Sequence, residues 1–198
     1  MQLSTEAIVE AIERASASAG TDERAVGAVV YPLVEAHGVD AVLVELRANR
    51  ADPLVASALA YAVQFSDLSL ADVFSADEIV AAALDFLLTV HTPGWGESRE
   101  SRVIDELRHG HWAWSALFDH QPGQRNDLDD DEHFQLVLAL IARAPSRNEI
   151  LWMIGDGPLA HAAGDEARFA EIQERAKSDP KLALTWRLNE VDWPYGSL

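Results

Sequence analysis

Apolar residues recur at helical spacing along almost the whole chain, and no stretch alternates with the period of two that a half-buried strand requires. Ile8, Ala11, Ile12 and Ala15 share one face and predict a first helix over 5–18. Gly20 ends that region, and Thr21 or Asp22 caps a second helix over 23–36. Pro32 falls inside it and predicts a kink, because proline has no N–H for the carbonyl four residues back. His37-Gly38 closes this helix and a third covers 39–49. Asp52-Pro53 opens a fourth helix, which reaches residue 65. Ser75 and Glu78 form a capping box ahead of an apolar helix ending at Val90, with Ile79, Ala82, Ala83 and Phe86 on its face. The break T-P-G-W-G at 92–96 separates it from helices over 98–109 and 111–120. A polar loop over 121–131 follows. Asp129 and Glu132 then begin a helix bearing Phe134, Val137, Leu138 and Ile141, while Leu136 and Leu140 predict cover on more than one side. Helices at 147–154, 158–163, 165–178 and 181–190 complete the count.

The expected fold class is therefore all-α, an array of about ten short antiparallel helices joined by short turns. The chain suits a single domain over 1–198, or two lobes, 1–92 and 98–198, joined by the 92–97 turn. Residues 41–54 and 135–148 are both apolar helices ending in Arg-Ala and a turn. Stacked helix pairs of the HEAT-like kind would read this way, although one such pair does not establish a repeat.

Charge changes this picture more than composition does. The 198 residues carry 33 acids against 15 bases, a net −18, and the only lysines are Lys177 and Lys181. The excess is spread along both halves and forms no tail. Such a field repels nucleic acid and anionic membrane and speeds encounter with a basic partner, while serving solubility in any case. The absence of cysteine excludes disulfides, thiolate zinc sites and cysteine nucleophiles. The start of the chain has no basic segment followed by an apolar one, and the longest apolar run, 25–34, is far below the roughly 20 residues of a membrane span. A cytoplasmic protein is the expectation.

Two motifs suggest chemistry and read better as architecture. In H-G-H-W-A-W, residues 109–114, the histidines are two apart, whereas a helical metal pair needs a spacing of three or four. Gly110 reads as the left-handed end of one helix. Trp112 and Trp114 then fall on opposite sides of the next, one in the core and the other facing a groove or partner. In G-D-G-P-L, residues 155–159, there is no preceding strand and no lysine, as a phosphate loop would require. Gly155 is expected to end a helix, Asp156 or Gly157 to cap the next, and Pro158 to take its first position.

The acidic run Asp127, Asp129, Asp130, Asp131 places carboxylates at the first, third and fifth positions of a calcium loop. Glu132 stands where that loop needs glycine and Leu138 where it needs glutamate, so an acid-stabilised helix start is the better reading. No nucleophile or zinc-protease motif occurs, and no cofactor or metal is implied. Trp95, between two glycines in a loop, is either a staple between halves or an exposed anchor.

The order Trp112-Ala113-Trp114, Ala144-Pro145, Gly155-Asp156-Gly157-Pro158-Leu159 and Asp179-Pro180 resembles a bacterial family of small domains of unknown function over residues 112–186. The resemblance implies no activity, and no functional residue carries over from it.

The function expected is a non-enzymatic protein-binding module for a basic partner, in its most specific form an immunity-like or antitoxin-like inhibitor. Trp95 or Trp114 would anchor the contact, beside the acids Asp127, Asp129, Asp130 and Asp131. The alternatives are an enzyme of unassigned class with a cleft near His109, His111 and Asp156, or a helical scaffold. A cleft with converging histidine and carboxylate would distinguish the second from the others.

Overall fold

The computed structural model describes residues 3–92, 95, 99–118, 128–164 and 166–189, with backbone alone at 99–101. The described chain is all helical, with no strand among those residues. Its elements are α1 (Thr5–Ser16), α2 (Asp22–His37), α3 (Val39–Ala48), α4 (Pro53–Val63), α5 (Leu70–Val73), α6 (Ala76–Val90), α7 (Arg99–Arg108), α8 (His111–Phe118), α9 (Asp130–Arg143), α10 (Asn148–Ile154), a π-helical turn (Gly155–Leu159), α11 (Ala160–Ala162), α12 (Glu166–Ala176) and α13 (Pro180–Arg187).

Caps set most of the starts. Thr21 accepts from the Arg24 N–H, Asp52 from Leu54 and Val55, and Asp179 from Lys181 and Leu182. Capping boxes open α6 at Ser75 and Glu78, and α9 at Asp129 and Glu132. The same signature, Ser69 with Asp72, opens the short α5, which apolar periodicity alone does not signal. Helix α2 runs on through Pro32 unbroken.

Helix α4 is apolar on every side, and it is buried along almost its whole length among α1, α2, α3, α7 and α8. Around α6 lie α8 and α9, while α13 closes over α9, α10 and α12. The core runs without interruption from Ile8 and Ile12 to Phe134 and Trp186. The stretches on either side of the 92–97 turn interleave and do not stand apart as lobes. Helix α6, before the turn, packs with the later elements, whereas α7, after it, lies against α1, α2 and α4. A buried hydrogen bond from Ser57 Oγ to the Leu107 carbonyl, 2.8 Å, ties α7 to α4. The similar segments also differ in setting. In α3, Val44 is left exposed, whereas α9 buries Phe134, Leu136, Val137, Leu140 and Ile141.

The expected stop and restart at G-D-G-P-L does not occur. The backbone stays helical from α10 through the π turn into α11. Pro158 brings no N–H to the Ile154 carbonyl, and widening the turn makes room for its ring. The glycines are there for proximity. A Cβ on Gly155 would collide with Asn189 Nδ2 and stand 2.7 Å from the Thr185 carbonyl, and one on Gly157 would enter the Phe118 ring. Asn189 uses that approach to donate to the carbonyls of Trp152 and Thr185, each at 3.2 Å.

Candidate functional site

Helix α8 starts only because Gly110 permits it. Its φ of +80° lies in the left-handed region, as expected of a helix end. A side chain there would also meet the Ala82 carbonyl of α6 at 2.6 Å. With α8 pressed on α6 in this way, residues three apart on it face the core. Trp114 is accordingly buried, stacked near Phe86 at 6.3 Å and tilted to Phe118 at 5.5 Å. The anchor role expected for Trp114 is therefore corrected: its ring belongs to the core. Trp112 is the tryptophan left to the groove. It shares its face with Ser115 and Ala116 and stacks on Phe74 at 4.3 Å. That pairing with small residues was the signal available in the sequence.

Trp95 does not protrude either. It is half-buried, edge-on to Phe86 at 6.3 Å, with the Arg102 guanidinium 5.3 Å from its ring centre. Within the acidic run, Asp129 caps its own helix and Asp131 reaches across to α12. Asp129 accepts from the Glu132 N–H at 2.7 Å, and Asp131 pairs with Arg168, whose guanidinium lies 4.3 Å above Phe134. Burial would lower the Arg168 pKa, but Asp131 and Glu171 outweigh it and push the group up. Asp130 is exposed in the first turn of α9. Asp127 lies outside the described residues. The described part of the run, 129–131, is a capped and ion-paired helix start whose three residues stay exposed.

His109, His111 and Asp156 do not converge. The His109 ring pairs with Asp85 of α6 at 2.9 Å on an exposed surface, and Asp156 is exposed on the π turn. His111 turns the other way and donates from Nδ1 to Asp22 of α2 at 2.5 Å. Both side chains are largely covered, with the Phe86 ring edge-on to the imidazole at 4.8 Å. Burial alone would raise the Asp22 pKa. The hydrogen bond and charge of His111, with backbone N–H donors of the first turn of α2, outweigh that and hold the carboxyl below its ordinary range.

This pair forms one side of a cleft of about 690 Å³ between α2, α4 and α8. Glu23, Tyr61, Gln64 and Trp112 also line it, with several hydroxyl and aliphatic side chains between them. Gly27 leaves space for Tyr61, since a Cβ there would stand 2.7 Å from the phenol oxygen. Ser57 lies at the cleft but donates to Leu107, so it is no nucleophile paired with His111. Among the described residues lining the cleft there is no lysine or arginine, whereas Asp22 and Glu23 both contribute carboxylates. Glu23, Gln64 and Tyr61 have no side-chain hydrogen-bond partner among the described residues. Beside its aliphatic lining, the cleft offers the Glu23 carboxylate, the Gln64 and Tyr61 oxygens and two aromatic rings, groups that can accept from a donor-rich cation.

Among the described residues no three histidine or acidic side chains gather as metal ligands, and no helix is long and apolar enough to cross a membrane. No family model, curated protein or solved structure matches the chain. The likeness read over 112–186 brings no residue role to the cleft.

Proposed function

We propose that this chain is a non-catalytic binding module that takes a cationic group of a basic partner protein into the cleft between α2, α4 and α8. The observation that supports it is the lining itself. Glu23, the phenol of Tyr61 and the amide of Gln64 line it together with Trp112 and the His111–Asp22 pair, and no lysine or arginine stands among the described lining residues. The net charge of −18 adds a long-range field that draws cations toward every part of this surface. An immunity-like inhibitor of a basic toxin is one form such a module takes. The His111–Asp22 pair orients the imidazole and clamps α2 to α8, and in this reading it shapes the cleft and performs no proton transfer.

Two probes that share a ring and differ in charge test it: benzamidine and benzoate, followed by NMR titration at low salt. Benzamidine is expected to shift the Trp112 indole and Gln64 amide resonances saturably, and benzoate to leave them in place. Equal binding of both, or of neither, overturns the reading.

A further inference from the structure

Among the described residues, the exposed large apolar side chains are unevenly placed. Val44, Leu88, Phe118 and Trp152 stand on four different helices, and none of them lines the cleft. Tyr31, Phe65 and Leu68, which are 53%, 36% and 40% exposed, cluster beside it. The Tyr61 ring of the cleft wall lies 5.8 Å from Phe65, and Phe65 lies 6.0 Å from Tyr31. Leu68 belongs to the cleft lining itself. An aromatic ledge thus continues from the cleft onto the outer surface of α2 and the turn after α4. Singly exposed apolar residues need no explanation, but a run of them continuous with a cavity marks a contact surface.

The spacing indicates what would lie on it. Along an extended peptide, side chains two residues apart share a face and stand about 7 Å apart. Successive rings along the ledge are separated by nearly the same distance. A basic side chain that enters the cleft past the Tyr61 ring, 5.8 Å from Phe65, would then leave the residue two positions away over Phe65. A second copy of this chain fits the ledge poorly, because it brings the same −18 charge to a cleft already lined by Asp22 and Glu23.

On the cation-binding reading above, we infer that cleft and ledge together receive one extended segment of the basic partner. Its arginine or lysine side chain enters beside Glu23 and Trp112, and an apolar side chain two residues away rests on Tyr31, Phe65 and Leu68. The cleft supplies the charge selection and the ledge the apolar selectivity.

NMR titration with two capped tripeptides, Ac-Phe-Ser-Arg-NH2 and Ac-Ser-Ser-Arg-NH2, separates this inference from the reading beneath it. The phenylalanine peptide is expected to bind at least about fivefold tighter, the gain from half-burying one ring. Phe65→Ser should remove that advantage while leaving the affinity of the serine peptide within about twofold. Tyr31→Ser, at a more exposed position, should reduce the same advantage and serves if Phe65→Ser does not fold. Equal affinities of the two peptides for the wild type overturn the ledge and leave the cleft standing. Failure of both peptides to move the Trp112 indole overturns the cation-binding reading as well. Concentration-dependent dimerisation in sedimentation, abolished by Phe65→Ser, assigns the ledge to a second copy and overturns the extended-segment proposal.

Discussion

Helices α2 and α9 start from similar parts and end in different surroundings. Each has an oxygen-bearing cap, Thr21 or Asp129, and acidic residues in its first turn. At α9 a cation from the same chain closes the cluster, because Arg168 packs over Phe134 and pairs with Asp131. At α2 the neighbour is an imidazole on α8, which engages Asp22 and leaves Glu23 facing a cleft. The difference teaches that the density of acids in the sequence does not mark a site. What separates the two starts is that an arginine of α12 covers the acids at α9, whereas at α2 Asp22 and Glu23 border the cleft.

Substitutions should separate the two starts, in descending size of effect. Phe134→Ala removes a fully buried ring together with the platform under Arg168. It should lower stability by about 3–5 kcal/mol in urea denaturation. Asp22→Asn should cost about 1–2 kcal/mol at neutral pH, since His111 loses a charged acceptor in a covered site. The sign with pH follows from the direction of the shift. The Asp22 carboxyl titrates lower in the folded state than in the unfolded chain, so its contribution is complete above the ordinary carboxylate range and is lost as pH falls through the lowered value. Wild type and Asp22→Asn should therefore converge in stability on acidification, and a gap that widens would contradict the assigned pair.

Asp129→Ala should cost about 1 kcal/mol, the usual worth of a cap, with benzamidine affinity unchanged. The smallest effect on stability, within about 0.5 kcal/mol, is expected for Asp131→Asn, since that carboxylate is mostly exposed. Thermal melts of both variants beside the wild type check these values.

Much of the fold was legible because it is written in local chemistry. The boxes at Ser75 and Glu78 and at Asp129 and Glu132, the Asp52-Pro53 start and the left-handed Gly110 each act within a few residues of where they are read. The site was only partly legible. His111 was flagged with His109, but its partner Asp22 lies 89 positions away, and nothing local announces that α2 and α8 meet. The direction of Trp112 against Trp114 depends on which flank of α8 the helix α6 covers. Gly155 and Gly157 read as caps because their true neighbours, Asn189 and Phe118, arrive from the turn after α13 and from α8. The 92–97 break is a related case. A glycine-rich break marks a turn in the chain and says nothing about which helices pack together across it.

The most direct test of the cleft is the affinity of benzamidine for three proteins at one low ionic strength: the wild type, Glu23→Gln, and the double variant Asp130→Asn with Asp131→Asn. If the cation is held between α2, α4 and α8, Glu23→Gln weakens binding several-fold, although it removes less charge than the double variant, which binds like the wild type. If both variants lose affinity in proportion to the charge removed, the protein attracts cations only through its net −18, and the cleft is not the site.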